Sequence, residues 1–166
     1  MDIFAFALEK EKFSEEYYRD LAHRANHAGL KNILTMLADE EAKHYQAIER
    51  MRTETLEQVT DVPVLDRARE VFEKMRVSPR KFDFLVSEAE LYRKAVQIEE
   101  QSKKFYLEQA EAAQDPAQER VFRLLAQEED KHLFLVENLY SFVSKPESFL
   151  ENAEMYHFDD YVEGVL

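Results

Sequence analysis

The sequence contains no cysteine, and only two of its 166 residues are glycine and four are proline. Without thiols the chain cannot form disulfides, thiolate zinc sites or a cysteine-ligated iron centre. Because glycine and proline interrupt helices and are scarce here, while Lys, Glu, Leu and Ala are common, the composition predicts an all-α protein. The length is that of one domain, and we expect residues 1–166 to form a single unit.

Positive charge is also scarce, because 22 basic residues face 35 acidic ones and the formal net charge is −13. Such a balance argues against binding to nucleic acid or to anionic lipid. No apolar run approaches the length that spans a membrane, and the first residues do not resemble a signal peptide. We therefore expect a cytoplasmic protein that binds neither nucleic acid nor a membrane.

Apolar periodicity predicts four long helices in two hairpins, with a long connection between them. The first helix is expected from about Asp2 to Ala25, and the third is expected to begin at a capping box formed by Ser87 and Glu90. The expected segments are a first hairpin at 1–57, a crossover with a short helix at 58–86, a second hairpin at 87–143 and a short C-terminal helical extension at 144–166.

Two similar stretches, "LADEEAKHYQAI" at 37–48 and "LAQEEDKHLFLV" at 125–136, place polar side chains within an apolar helix face. In the first, Glu41 and His44 interrupt the apolar face, and in the second Glu129 and His132 do so. A buried carboxylate is costly unless a partner compensates for its charge. These positions therefore call for a chemical explanation.

A shift of 88 residues without gaps superposes the two stretches, and it also superposes Glu11 on Glu99. This match indicates an internal duplication. The midpoint between the two glutamates of each hairpin falls in a turn signal, "NHAG" or "QDPAQ". Because both helices of a hairpin rise equally per residue, the two glutamates of each hairpin are expected at the same height.

If the crossover brings the hairpins together, four carboxylates and two imidazoles meet near the middle of the bundle. Carboxylates in a dry core repel one another and take up protons unless cations neutralise them. Two divalent metal ions would do so, and oxygen-rich ligation with one imidazole per metal suits iron or manganese, although zinc or cobalt could also bind. The candidate ligands are Glu11, Glu41, His44, Glu99, Glu129 and His132.

The stretches "ALEKEKFSEEYYRDLA" with "LADEEAKH", and "AVQIEEQSKKFYLEQA" with "LAQEEDKH", resemble the rubrerythrin branch of the ferritin-like superfamily. The resemblance extends from residue 4 to about residue 143. It implies a ferritin-like antiparallel four-helix bundle, two iron ions bound by the six residues above, and Tyr18 and Tyr106 as hydrogen-bond partners of ligand carboxylates. In this family the third-helix carboxylate and that of the second Glu-x-x-His motif commonly bridge the metals, but the sequence leaves the bridging residues open.

The sequence also departs from the family pattern. Rubrerythrins that reduce peroxide usually have a further glutamate one turn after the first on the third helix, where this chain has Ser102, matched by Ser14 in the first helix. The remaining six-residue set also resembles a bacterioferritin ferroxidase centre. The cysteine-ligated iron domain of rubrerythrins is missing, so electrons would have to come from a separate protein such as rubredoxin.

The resemblance implies a di-iron oxidoreductase that reduces hydrogen peroxide or dioxygen. Two alternatives stay open: a ferroxidase or iron-storage protein, and a non-catalytic dinuclear metal-binding bundle. We expect a homodimer, since the long crossover and the apolar C-terminal segment favour two-fold association.

Other polar residues have simpler interpretations. Simple core packing is about as good an interpretation of Tyr18 and Tyr106 as a hydrogen bond to a carboxylate. Glu40 and Glu128 are predicted to be solvated charges on outer helix faces. A third Glu-x-x-His match, Glu154 with His157, has no counterpart in the repeat and is taken as coincidence, and His23 and His27 are assigned no role.

Overall fold

The protein is described here by a computed structural model that covers residues 2–53, 64–77, 82 and 84–151. Every regular element in these residues is helical, which confirms the all-α prediction. Residues 58–63 of the predicted crossover and the pair Glu154 and His157 lie outside the described residues. The helices are α1 (Ile3–Arg24), α2 (Ala28–Arg52), α3 (Val64–Val77), α4 (Val86–Ala112), α5 (Pro116–Ser144) and α6 (Pro146–Glu151).

The turn of the first hairpin is short, with a backbone hydrogen bond at the end of α1 and a side-chain cap at the start of α2. α1 ends at Arg24, and the following Ala25 is extended. His27 then caps α2, since its Nδ1 accepts the Gly29 N–H at 3.1 Å. Gly29 lacks a side chain where α3 packs against the start of α2, and a Cβ there would clash with the end of Met75. The turn predicted at 26–29 is confirmed.

α2 ends at Arg52, five residues before the end predicted at 57. Thr53 leaves the helical conformation, and its backbone N–H donates to the Glu49 carbonyl at 3.1 Å. The Thr53 hydroxyl donates to the carbonyls of Glu49 and Arg50 at 3.2 and 3.0 Å. Because the last carbonyls of a helix lack intrahelical partners, these bonds complete the final turn.

The second hairpin has a sharper turn signal. Asp115 caps α5 by accepting the Ala117 N–H at 2.9 Å, and Pro116 occupies the first helical position, where no N–H is needed.

The predicted capping box of Ser87 and Glu90 is wrong: α4 already begins at Val86, and the side chain of Glu88 accepts the Leu85 N–H at 3.1 Å. Ser87 lies exposed within the first turn.

Contacts between α1 and α4 show that these two helices run in opposite directions. The rings of Phe6 and Phe105 lie 5.2 Å apart, whereas the Tyr17 hydroxyl donates to the Leu91 carbonyl at 2.7 Å. The earlier residue of α1 therefore contacts the later residue of α4. Together with the α1–α2 and α4–α5 hairpins, this contact completes the predicted antiparallel four-helix bundle.

The apolar core forms two clusters with a polar layer between them. Along α1, Ala7 and Leu8 belong to one cluster and Leu21 and Ala22 to the other, with Glu11 between the two groups. The other three long helices show the same change from one cluster to the other. Buried polar side chains are thereby concentrated at mid-bundle, where the duplication predicted them.

The crossover helix and the C-terminal extension close one end of the bundle. The ring of Phe72 on α3 lies 5.8 Å from that of Phe142 on α5 and 5.1 Å from that of Phe149 on α6. All three rings are buried. The structure therefore confirms a short helix in the crossover and a helical extension packed on the bundle. Among the described helices, none is both long and apolar enough to cross a membrane.

Candidate metal centre

Six polar side chains at mid-bundle are almost completely removed from solvent. None of them is more than 1% exposed, although four are carboxylates and two are imidazoles. Isolated charges are not tolerated at such depth, so these groups must compensate for one another or bind cations. All six candidate ligands predicted from the repeat lie in this layer: Glu11, Glu41, His44, Glu99, Glu129 and His132.

Four of these residues form a tight central cluster of Glu41, His44, Glu129 and His132. One ligand atom from each lies within 4.8 Å of those of the others, an arrangement that could hold a metal ion. His44 Nδ1 is 3.0 Å from Glu129 Oε1, and His132 Nδ1 is 2.9 Å from Glu41 Oε1. Each imidazole therefore makes its shortest contact with a carboxylate of the other hairpin.

Glu41 and Glu129 each contact both imidazoles of the central cluster. Besides the contacts between hairpins, Glu41 Oε2 is 3.6 Å from His44 Nδ1 and Glu129 Oε2 is 3.5 Å from His132 Nδ1. The two imidazole rings are stacked, with centroids 5.2 Å apart. The two carboxylates consequently occupy the middle of the arrangement, each within reach of both nitrogens.

The remaining two carboxylates, Glu11 and Glu99, are called here the outer glutamates. Glu11 Oε2 lies 3.4 Å from His44 Nδ1 on the same hairpin. The buried hydroxyl of Tyr106 donates a hydrogen bond to Glu11 Oε1, and the buried hydroxyl of Tyr18 donates one to Glu99 Oε1. Of the two interpretations of these tyrosines, the structure supports the hydrogen bond to a carboxylate.

Burial and mutual repulsion dominate the titration of the outer glutamates. Burial raises the pKa of Glu11 well above its usual value, and the charges of Glu129 and Glu41 raise it further. Burial likewise raises the pKa of Glu99, with additional repulsion from Glu41 and Glu129. Without a cation, the outer glutamates therefore tend to retain protons.

The central cluster behaves in the opposite way. Burial lowers the pKa of His132, but the adjacent Glu41 and Glu129 carboxylates outweigh burial and raise it to about 10. Burial raises the pKa of Glu129, but His44 and His132 outweigh it, so that the pKa lies below the usual value. The metal-free cluster thus keeps protons on its imidazoles, and binding of metal would displace them.

Several carboxylate oxygens in this layer are buried without a hydrogen-bond partner. They are Oε2 of Glu11, Oε2 of Glu99 and Oε2 of Glu129. Buried polar atoms are normally paired, so unpaired oxygens at a convergence of carboxylates indicate a ligand that satisfies them. A metal ion fits this requirement, because carboxylate oxygen and imidazole nitrogen are ordinary ligands of first-row divalent metals.

A family sequence model described as Rubrerythrin matches residues 2–140, and a second match covers residues 90–161. The chain belongs to the rubrerythrin family. Searches of curated proteins and of solved structures gave no match. Rubrerythrins are a ferritin-like di-iron family, and the buried carboxylate–imidazole layer of this chain fits a dinuclear metal site. The family assignment made from the repeated motifs is confirmed.

In this member of the rubrerythrin family, Ser14 and Ser102 occupy positions one turn after the outer glutamates. Both serines are buried, with 3% and 2% of their surface exposed. Ser102 stands where peroxide-reducing rubrerythrins usually have a glutamate. The polar layer therefore contains a small hydroxyl at that position in each repeat.

The prediction that Glu40 and Glu128 are solvated is wrong, because they are only 4% and 8% exposed. Lys43 Nζ lies 2.9 Å from Glu40 Oε1, and Lys131 Nζ lies 2.8 Å from Glu128 Oε1. Each lysine, one turn later on the same helix, extends over the glutamate and covers it while its own amine reaches solvent. The Glu-x-x-Lys spacing present in both repeats was the sequence signal for this arrangement.

Proposed function

We propose that this rubrerythrin-family protein binds two iron ions in its polar layer and reduces hydrogen peroxide, or dioxygen, with electrons from an external donor. The observation that supports this most directly is the burial of four carboxylates and two imidazoles in one layer, with three of the carboxylate oxygens lacking a hydrogen-bond partner. Two divalent cations would neutralise the four carboxylates. Oxygen-rich ligation favours iron or manganese over metals that prefer thiolates, and zinc is a competitor in vitro.

The contacts favour a particular division of ligands in this proposal. Glu11 with His44 would hold one ion, because Glu11 Oε2 lies 3.4 Å from His44 Nδ1, and by the repeat Glu99 with His132 would hold the other. Glu41 and Glu129 would be shared between the two ions, because each lies within 3.6 Å of Nδ1 of both imidazoles. Glu99 instead accepts a hydrogen bond from Tyr18 and lies outside the group of four that Glu41, His44, Glu129 and His132 form.

Two ferrous ions would supply two electrons, which with two protons convert hydrogen peroxide to two water molecules, or dioxygen to hydrogen peroxide. The residues of the chain provide the surroundings for this step. The apolar clusters on either side keep water from the polar layer, and this strengthens every electrostatic interaction inside it. Tyr18 and Tyr106 hold one oxygen of each outer glutamate by hydrogen bonds and leave the other oxygen free for a metal.

Anaerobic loading with ferrous iron tests the proposal. The expected uptake is two ions per chain, followed by oxidation on mixing with hydrogen peroxide that is much faster than oxidation of free ferrous iron. Parallel mixing with air-saturated buffer compares dioxygen as the oxidant. A Glu129→Gln variant serves as the matched control, since it removes one central charge without changing side-chain size. Absence of iron uptake, or oxidation no faster than in free solution, would contradict the proposal.

The electron donor and the assembly form part of the same proposal. Because the chain lacks cysteine, a separate redox protein such as rubredoxin would re-reduce the site, in the cytoplasm and without nucleic acid or membrane. We further propose a homodimer. Light scattering separates this arrangement from the iron-storage alternative, because a mineral core requires a hollow shell that a dimer cannot form. A tightly bound zinc pair that never reacts would favour the non-catalytic alternative.

A further inference from the structure

A surface cleft of about 200 Å³ lies between α1 and α4, alongside the polar layer. Its walls are largely apolar, with Phe6 and Phe13 from α1 and Ile98 from α4. Ser14 is part of the lining and is the smallest residue there. The remaining lining residues are Glu9, Lys10 and Gln101.

The cleft lies between two places where side chains join α1 to α4. On one side, Phe6 packs against Phe105 with a centroid distance of 5.2 Å. On the other side, Lys94 Nζ lies 6.0 Å from the ring centroid of Phe13 and 5.4 Å from that of Tyr17. The helices are bridged at both ends of the cleft, whereas the small side chain of Ser14 leaves space between them.

Ser14 connects this cleft to the polar layer. It is three residues after Glu11 and four residues before Tyr18, so all three lie on the buried face of α1. Side chains at this spacing have Cβ atoms about 5–6 Å apart. Although Ser14 lines a surface cleft, only 3% of its surface is exposed. The cleft therefore reaches a nearly buried residue that lies one helical turn from an outer glutamate.

We infer that the α1–α4 cleft is the access route by which a small neutral oxidant reaches the polar layer, and that Ser14 sets the size limit. This inference rests on the proposed function. Apolar walls admit neutral hydrogen peroxide and dioxygen with little desolvation, whereas an anion would lose its hydration there. A bulky alkyl hydroperoxide would be stopped at Ser14. The serine thus acts as a specificity-determining residue.

The first test needs no metal. Because the chain has no cysteine, Ser14→Cys introduces a single thiol. The rate at which a small neutral methylthiosulfonate labels this thiol measures access to position 14. Ser102→Cys is the matched control, since Ser102 is the repeat counterpart, is equally buried and does not line the cleft. Access of the reagent limits thiol reactivity, and of the two positions only 14 lines the cleft, so we expect labelling of the folded metal-free protein to be at least about tenfold faster at position 14 than at position 102. Equal rates would overturn the access route.

The second test blocks the route after folding and iron loading. Ser14→Cys protein is loaded with ferrous iron, divided, and one half is labelled with a benzyl thiosulfonate. Iron content is measured in both halves to show that the metal is retained. We expect labelling to slow oxidation of the iron by hydrogen peroxide and by dioxygen about tenfold, because the benzyl group would block the path of the oxidant to the polar layer. Labelling of Ser87→Cys, at an exposed position in the first turn of α4, is expected to have no effect.

The outcomes separate the access route from the proposed function. Unlabelled iron-loaded protein that reacts with neither oxidant would overturn the proposed function. Normal oxidation after complete labelling at position 14 would overturn the access route alone. Ser14→Gly should increase the rate with tert-butyl hydroperoxide relative to hydrogen peroxide, because it removes a side chain from the part of the cleft lining that adjoins Glu11. An unchanged ratio would overturn the role of Ser14 in size selection.

Discussion

The Tyr18 hydroxyl on α1 donates a hydrogen bond to Oε1 of Glu99 on α4, and both residues are fully buried. Tyr106 makes the reciprocal bond to Glu11. Each tyrosine therefore orients a carboxylate of the other hairpin. Because a carboxylate with one oxygen held in this way has fewer orientations to lose when it binds a metal, these bonds prepare the site before a metal arrives.

Replacement of Tyr18 by phenylalanine tests this preparation. Removal of the hydroxyl leaves Glu99 free to rotate, and loss of such a hydrogen-bond partner typically lowers metal affinity by about 10–100-fold. Anaerobic titration against a competing chelator measures the effect. Tyr17→Phe is the control, because the Tyr17 hydroxyl bonds to the Leu91 carbonyl, outside the polar layer. Equal affinities for the two variants would argue against a role for Tyr18.

Two adjacent glutamates on α5 offer a second comparison. Glu129 belongs to the central cluster, whereas Glu128 pairs with Lys131. We expect Glu129→Gln to abolish stoichiometric metal binding and Glu128→Gln to leave two metals per chain. The second variant should lower the free energy of unfolding by only about 1 kcal/mol, as is usual for a partly exposed ion pair. Elemental analysis measures the metal content of each variant, and urea unfolding measures its free energy of unfolding. Loss of metal from Glu128→Gln would show that Glu128 belongs to the metal site.

The proposed division into shared and outer carboxylates predicts different metal stoichiometries. Glu11→Ala removes a ligand from one ion only, so about one metal per chain should remain, held by Glu99 and His132. Glu41→Ala removes a group shared by both ions and should reduce binding of both. Isothermal titration under anaerobic conditions distinguishes these outcomes. Retention of one tight site in Glu41→Ala would instead assign Glu41 to a single metal.

The pKa shifts predict that metal-free protein loses stability as the pH rises. The pKa of His132 is about 10 in the folded protein, compared with an ordinary value of 6.5. A pKa that is higher in the folded than in the unfolded protein stabilises the fold. This stabilisation is fully present at pH values below the unfolded pKa and is lost as the pH rises through the folded pKa of about 10. Folding also raises the pKa values of Glu11 and Glu99, so their protonation likewise stabilises the metal-free fold. That contribution is also lost as the pH rises, beginning at a lower pH than for His132. Urea unfolding in the presence of chelator should give a lower stability at pH 9.5 than at pH 6.5.

Metal-loaded protein provides the control for this pH dependence. Metal ions compete with protons for the same atoms, so their binding becomes stronger as the pH rises and offsets the loss. The difference in stability between loaded and metal-free protein should therefore widen with pH. Metal-free protein of constant stability between pH 6.5 and 9.5 would show that the imidazoles are not protonated as the contacts indicate.

The sequence predicts the helices and the polar layer well because both depend on local pattern. The first helix, expected from about Asp2, begins at Ile3 with Asp2 as its cap, and the turn signal "QDPAQ" lies between α4 and α5 as predicted. The repeat identifies six buried polar side chains, because the same interruption of an apolar face occurs twice. The predicted end of α2 is wrong because the periodic pattern continues past Thr53, whose hydrogen bonds complete the last turn earlier.

Other features depend on how the hairpins pack, and sequence reasoning could not reach them. The pairing of His44 with Glu129, and of His132 with Glu41, follows from the relative height of α2 and α5. The burial of Glu40 depends on where the Lys43 side chain extends. Spacing along one helix gives no information on the two histidine–glutamate distances, since each joins different helices. The Glu40–Lys43 spacing can be read from the sequence, but the burial that accompanies it depends on tertiary packing.

Because each imidazole contacts a carboxylate of the other hairpin, the polar layer is formed jointly by the two repeats. Neither repeat holds a full set of contacts by itself, since each imidazole completes its environment with a carboxylate contributed from across the bundle. Metal binding by this layer would therefore require that the two halves of the chain have packed together in register.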